Sequence, residues 1–259
     1  MLFRSVKLDP AVMAFAGQIF LFSSILHAGM FFISKWIFGK YEGDTQKVLR
    51  FTATFSNCAF MGYPVLYSIY GKAGIFYASI FVVPFIIALW TAGVLIFKGD
   101  HDVKNSWMKV LVNPGILAVA LGILMFFSGW RFSGPLVRAF DLLGSTTTPI
   151  AMILIGSTLA EVRFKSLLSG SSVYYAAFIR LIAIPLAVLG LLMLCGVRGT
   201  VLGVCVISAG MPAAANTAAF AESFGSDAVF ASRCVFVSTL LSIFTVPAII
   251  SFVQYFTLR

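Results

Sequence analysis

The sequence predicts an all-α polytopic membrane protein with about eight transmembrane helices. The first observation is composition: 60% of the 259 residues are hydrophobic and 10% are charged, whereas a soluble domain carries about 25% charged residues. The second observation is pattern, because apolar stretches of about 20 residues, long enough to cross a hydrocarbon core, alternate with polar links. A soluble globular fold is therefore excluded.

Each predicted span is an apolar run between polar links. The links KWIFGKYEGDTQK, after the first span, and KGDHDVKNSWMK, after the third, are the most polar. The four cysteines lie inside apolar runs without the spacing of a disulfide framework or a zinc site, so neither a metal site nor a cofactor is expected. In chain order the spans cover residues 11–34, 49–70, 74–97, 110–130, 137–160, 172–196, 199–222 and 228–256.

Basic residues indicate how the spans are oriented. Lysines and arginines cluster in the links near residues 35–50 and 98–109, whereas those on the other side are scattered singly or in pairs. The positive-inside rule places the two clusters in the cytoplasm and both termini outside. We therefore expect a multi-pass protein of the cell membrane, with the lipid bilayer and no nucleic acid as its partner.

The second and seventh spans contain helix breakers: each has Gly-x-Pro near an asparagine. Proline removes a backbone N–H and frees a carbonyl group, which a bilayer interior tolerates only where the backbone is buried in protein or lines a cavity. The two spans cross in opposite directions, as in an inverted repeat whose broken helices meet at a substrate site. The alternative is that each proline only kinks its helix. The residues predicted for the site are Asn57, Gly62, Pro64, Gly210, Pro212, Asn216 and Thr217.

Five stretches carry a family resemblance: FSNCAFMGYPVLYSIYG, NPGILAVALGIL, TTTPIAMILIGSTLA, RLIAIPLAV and the long block from MPAAANTAAFAESFG to FTVPAI. Together they resemble the bacterial branch of the auxin efflux carrier family, which includes malate-type permeases. The resemblance implies two inverted repeats of five helices, with crossed, proline-broken fourth and ninth helices, and export of organic anions. The helices with Pro64 and Pro212 match the broken pair, and Asn57 matches the asparagine before the first break.

The family resemblance also predicts a domain division. Eight spans instead of ten imply that the first two family helices are lacking, with MLFRSV resembling the end of the second. Residues 1–98 are then the remainder of the first repeat, family helices three to five. Residues 99–109 form a cytoplasmic link, and residues 110–259 form the second repeat.

Arg180 lies near the middle of the sixth span. An uncompensated cation there costs at least about 2.5 to 3.5 kcal/mol, so its side chain should face the protein interior. One interpretation is that Arg180 snorkels or binds carbonyl groups freed by Pro185. The other is that Arg180 attracts an anionic substrate, which the family resemblance favours.

Further polar residues suggest how a substrate is bound and coupled. Half-helix N-termini at the breaks would offer N–H groups to a carboxylate, although asparagine and threonine side chains in spans also bond helix to helix. His27, Asp141 and Glu222 are candidates for proton coupling. A lone histidine is more often a packing residue, and the two acids lie close to span ends.

No sequence pattern indicates an enzyme, since HExxH, GxSxG and P-loop motifs are absent from the sequence. The function predicted is a secondary transporter that moves a small organic anion, a carboxylate, mainly outward, with a homodimer as one assembly to consider. The alternative is an anion channel or a non-transporting membrane receptor bundle. Saturable flux would separate the carrier from the channel.

Overall fold

The computed structural model describes residues 10–98, 117, 121, 124, 134–160 and 170–257. Within these ranges the protein is all-α, and its one non-helical pairing is an isolated antiparallel bridge. The predicted fourth span and the link at residues 99–109 lie outside the described residues, apart from the three single positions. The helices are α1 (Pro10–Ile37), α2 (Gly43–Thr54), α3 (Gly62–Ala88), α4 (Val94–Lys98), α5 (Gly134–Ala160), α6 (Ser171–Phe178), α7 (Ile184–Leu194), α8 (Gly199–Ala209), α9 (Asn216–Ser223) and α10 (Ala228–Thr257).

The predicted membrane class is confirmed for the described part of the chain. Four helical stretches there are long and apolar enough to cross a membrane, and α8 is a shorter apolar helix. A π-helical turn, Leu89–Gly93, joins α3 to α4, and a second, Ile179–Ala183, joins α6 to α7. The four long stretches are Pro10–Ile37, Gly62–Lys98, Ser171–Leu194 and Ala228–Phe256.

The stretch Gly62–Lys98 is 37 residues long, but the chain reverses within it at Gly71. Gly71 has φ 60° and ψ −143°, a backbone conformation that residues other than glycine rarely adopt. Beyond it the chain returns to the level at which α3 began, because the Phe85 ring lies 5.8 Å from the Phe55 ring. The boundary predicted between the second and third spans is therefore correct.

The second and seventh predicted spans are each broken. The second consists of α2, an extended segment and the first half of α3, while the seventh consists of α8, a second extended segment and α9. Around them, α1 packs chiefly on α3, and α10 packs on α8, α9 and α6. The breaks therefore lie in the interior, where the backbone at residues 55–58 and 210–215 is buried.

Candidate functional site

The two extended segments pair with each other where the broken helices cross. The backbone N–H of Asn57 donates to the Pro212 carbonyl at 2.7 Å, and the N–H of Ala214 donates to the Phe55 carbonyl at 3.0 Å. These two bonds form a short antiparallel bridge. Each break thus satisfies backbone groups that the other break exposes, which a bilayer interior requires because it offers no water for them.

Serine side chains complete the pairing at the crossing. The Ser56 hydroxyl donates to the Ser208 carbonyl at 3.0 Å. The Ala213 N–H donates to the Ser238 hydroxyl oxygen at 3.2 Å, so α10 also supports the crossing. All four of these residues are buried. The two breaks are therefore joined by hydrogen bonds into one core element and are not a pair of independent kinks.

One side of the crossing carries carbonyl groups, and we call it the carbonyl flank: the C-terminal ends of α2 and α8 at Ala53 and Ala209. Arg180, 2% exposed, binds both ends. Its Nη1 donates to the Ala53 carbonyl at 2.6 Å, and its Nη2 donates to the Ala209 carbonyl. A cation is stabilised at a helix C-terminus, and here one guanidinium serves two such ends.

The other side carries N–H groups, and we call it the amide flank: the backbone N–H groups of Ala59, Phe60, Ala215 and Asn216. They precede or begin α3 and α9. The Ala59 N–H donates to the Cys58 sulfur, and the other three have no hydrogen-bond acceptor among the described residues. Free N–H groups of this kind are normal at helix N-termini. Two positive helix ends therefore meet on this side of the crossing.

The amide flank borders a cavity of about 730 Å³. Volumes of about 300 to 1,000 Å³ are typical of small-molecule sites. Asn57, 4% exposed, and Asn216 both line the cavity. Neither side chain makes a hydrogen bond within the described parts of the chain. The residues of the lining are Ser56, Asn57, Ala59, Phe60, Tyr63, Val82, Phe85, Ile86, Leu89, Trp90, Ala214, Ala215 and Asn216.

An aromatic cluster borders the cavity on the side toward the end of the bundle at which α2 begins and α4 ends. The ring of Phe220 lies 5.1 Å from Trp90, which lines the cavity, and 5.0 Å from Phe51. In the same cluster the ring of Phe97, in α4, stacks on that of Phe224 with 5.9 Å between the ring centres. Gly93, the last residue of the first π-helical turn, leaves room for this packing, because a Cβ at this position would lie 3.0 Å from the Phe51 ring.

The structure brings Asn57 and Asn216 to the cavity, but it does not bring Pro64 there. Pro64 is exposed in the first turn of α3, and Gly62, although buried, does not line the cavity. Gly62–Pro64 and Gly210–Pro212 occupy different positions relative to the two breaks. The bridge pairs residue 56 with residue 213. The break in the second span therefore lies before Gly62–Pro64, whereas the break in the seventh span begins at Gly210 and contains Pro212.

Four other predicted residues surround the crossing without lining the cavity. Gly210 ends α8 in tight packing, since a Cβ there would lie 3.0 Å from Ile249 and 3.4 Å from Pro185. Pro212 provides the carbonyl that Asn57 binds, and the Thr217 hydroxyl donates to the Ala214 carbonyl at 2.6 Å. Arg180 binds carbonyl groups, as one interpretation held, but they belong to the broken helices.

Two of the three candidates for proton coupling, His27 and Glu222, lie apart from the cavity lining. His27 is buried, with Nδ1 2.7 Å from the Ser23 carbonyl oxygen and its ring 5.6 Å from that of Phe85. Glu222 is exposed near the end of α9. Asp141 belongs to α5, and its side chain lies outside the described residues.

Sequence reasoning missed the cavity wall opposite the crossing, which α3 and the first π-helical turn supply through Phe85, Leu89 and Trp90. It also missed Ser56, which both lines the cavity and binds the partner break. A serine next to the asparagine of a broken span was a usable signal. The wall residues carried none, because apolar side chains in a membrane helix face lipid and protein alike.

The family model described as membrane transport protein matches residues 4–105 and 101–250 of the chain. The chain is similar to an uncharacterized transporter of Methanothermobacter thermautotrophicus, with 29% identity over 202 residues, 77% of this chain. It is also similar to the uncharacterized transporter YfdV of Escherichia coli, with 25% identity over 95% of this chain. The chain spans 65% of the first relative's length and 82% of the second's.

Proposed function

This chain belongs to the membrane transport protein family, and we propose that it is a secondary carrier that moves a small organic anion, a carboxylate, across the cell membrane, mainly outward. The observation that carries the proposal is the amide flank: three free backbone N–H groups, those of Phe60, Ala215 and Asn216, and the side-chain amides of Asn57 and Asn216 at one cavity. All of these groups are donors suited to an anion, and helix N-termini favour negative charge.

The shape of the cavity supports a small substrate. Apart from Ser56, Asn57 and Asn216, its lining is apolar or aromatic, so a charged group is drawn to the crossing while a hydrocarbon part can contact Phe85 and Trp90. A volume of about 730 Å³ accommodates a small organic acid with bound water. A larger polyanion would find too few donors along these walls.

A carrier is favoured over a channel by the aromatic cluster. In the described part of the chain, the rings of Phe51 and Trp90 both pack on that of Phe220 on this side of the cavity, and we infer that they close it. A site that is closed toward one side is what alternating access requires, whereas a channel needs a continuous path. We take the closed end as cytoplasmic, following the basic links near residues 35–50, and we retain the inverted repeat as part of the proposal.

The test uses purified protein in proteoliposomes preloaded with malate, succinate or acetate, and it measures counterflow of the radiolabelled acid. We expect saturable uptake of at least one of them. The variant Asn57→Leu should lower uptake about 10- to 100-fold, since it removes a donor to a charged group. Its apparent Tm should not fall, because the Asn57 side chain bonds nothing in the described structure.

The matched control is Gln18→Leu, which replaces an exposed amide on α1 by the same residue. It should transport like the unmodified protein. Normal uptake by Asn57→Leu would remove the amide flank from the substrate site. Flux that rises linearly with substrate concentration would favour the channel, and binding of the acids without flux would favour the receptor bundle.

A further inference from the structure

We propose that Arg180 is a tethered cation that takes the place of a bound inorganic cation at the carbonyl flank. The inference rests on the proposed function, because it concerns which ion a carrier of this architecture requires. Half-helix C-termini and unwound carbonyl groups are the elements that coordinate Na⁺ in carriers with broken helices. In this protein the guanidinium group already occupies those elements.

The contacts show that Arg180 serves both halves of the crossing. The Ala53 carbonyl belongs to the last turn of α2, and the Ala209 carbonyl belongs to the last residue of α8. These residues are 156 positions apart in sequence, since 209 − 53 = 156. One side chain, carried by the π-helical turn Ile179–Ala183, therefore fixes the distance between two helix ends that could otherwise separate.

The charges balance without any carboxylate. Each helix C-terminus carries a partial charge of about −0.5, so two ends together match the single positive charge of a guanidinium. Within the described residues the one ion pair is Lys47–Asp44, far along α2 from the crossing, and Arg180 has no acidic partner. The carbonyl ends are therefore the counter-charge that allows a buried arginine.

Arg180 acts on the substrate site only through the crossing. It does not line the cavity, which lies along the opposite, amide flank. Holding the C-terminal ends of α2 and α8 together also holds the bridge between Asn57 and Pro212, and with it the amide flank. Arg180 is thus a positioning residue, and the crossing of the wild-type protein should require no Na⁺.

The experiment measures apparent Tm of the purified protein in detergent, in NaCl and in choline chloride at equal ionic strength. The variants are Arg180→Ala, Arg180→Met and Arg180→Lys, and Arg198→Met is the control, since Arg198 is an exposed arginine next to α8. Methylguanidinium at millimolar concentration is added to each. The Tm measurement uses no substrate, so it tests the role of Arg180 independently of whether the protein transports a carboxylate.

We expect Arg180→Met and Arg180→Ala to lower the apparent Tm by on the order of 10 °C, because two bonds from a charged donor are lost. Methylguanidinium should restore at least half of the loss in Arg180→Ala but not in Arg180→Met, whose side chain fills the space. Arg180→Lys should fall between them and the wild type, because it keeps the charge but not the fork. Arg198→Met should change little.

Three results would overturn the proposal. The first is a wild-type protein stabilised by Na⁺ relative to choline, which would show that a metal cation still binds the crossing. The second is unchanged stability in Arg180→Met. The third is an Arg180→Ala protein that methylguanidinium leaves unrecovered. If Arg180→Ala fails to fold, the apparent Tm of the wild-type protein and of Arg180→Lys in NaCl and in choline chloride still tests the proposal.

Discussion

The carbonyl flank and the amide flank are the two sides of one crossing, yet the protein treats them differently. On the carbonyl flank, Arg180 from a third helical segment binds the buried carbonyl groups of Ala53 and Ala209. On the amide flank, the residues that carry the corresponding N–H groups line a cavity, and the N–H groups of Phe60, Ala215 and Asn216 have no acceptor in the described structure. The protein completes one half of the crossing itself, and under the proposed function the other half binds the substrate.

This difference has a simple physical origin. Every helix break creates one carbonyl end and one N–H end. Because α2 and α8 reach the crossing from opposite ends of the bundle, their carbonyl ends meet on one side and the N–H ends of α3 and α9 meet on the other. The crossing therefore becomes electrically polarised, with about one unit of charge on each side.

The largest expected effect comes from breaking the bridge that separates the flanks. Ala214→Pro removes the N–H that donates to the Phe55 carbonyl and should destabilise the protein by about 3 kcal/mol or more. The comparison is Ala215→Pro, since Ala215 has φ −55° and its N–H makes no bond among the described residues. It should fold normally but bind a carboxylate more weakly. Chemical unfolding of both variants measures the difference, and equal losses would contradict the asymmetry.

A smaller effect is expected from a side chain that ties the two breaks together. Ser56→Ala removes the hydroxyl that donates to the Ser208 carbonyl and should lower the free energy of unfolding by about 1 kcal/mol. Ser68→Ala is the matched control, because the exposed Ser68 hydroxyl bonds only the Val65 carbonyl of its own helix. Denaturant titration of the two variants should show a loss in the first alone. A loss of the same size in Ser68→Ala would mean that the buried tie has no special value.

The smallest effect is expected from an ion pair exposed to water, which calibrates the buried cation of the carbonyl flank. Asp44 accepts a hydrogen bond from Lys47 at 3.0 Å, and this contact lowers the pKa of the Asp44 carboxyl. A lowered folded-state pKa gives stability above the unfolded value, and that stability is lost as pH falls through the folded value. Asp44→Asn should therefore cost at most about 1 kcal/mol at pH 7 and nothing at pH 2. Thermal unfolding between these pH values checks this, and a larger loss than in Arg180→Met would invert the comparison.

The sequence anticipated much of this molecule. Composition and span length predicted the membrane class, and the predicted spans 49–70 and 74–97 left their boundary at the position where the chain reverses, Gly71. The resemblance to the auxin efflux carrier family is confirmed by the family match. Asn57 and Asn216 both line the cavity, and their role in substrate binding stays a prediction. The orientation of the termini, the domain division and the roles in transport stay predictions.

The internal register of the crossing could not be predicted from Gly-x-Pro. In the sequence, Pro64 and Pro212 look alike, but Pro64 lies in the first helical turn of α3, where a missing N–H costs nothing. Pro212 lies in an extended segment and uses its carbonyl for the bridge. The same residue type starts a helix in one case and interrupts one in the other, and local sequence does not distinguish these outcomes.

The sequence by itself determined that the chain spans a membrane, that two of its spans are broken, and that polar residues accompany both breaks. These properties follow from hydrophobicity and backbone chemistry, which act locally. Only the tertiary structure decided that the breaks pair with each other, that Arg180 takes the carbonyl ends, and that the amide ends open on a cavity. Those contacts join segments more than 120 residues apart, such as Ala53 and Arg180, and in a membrane protein the apolar faces that bring them together look the same whether they meet lipid or another helix.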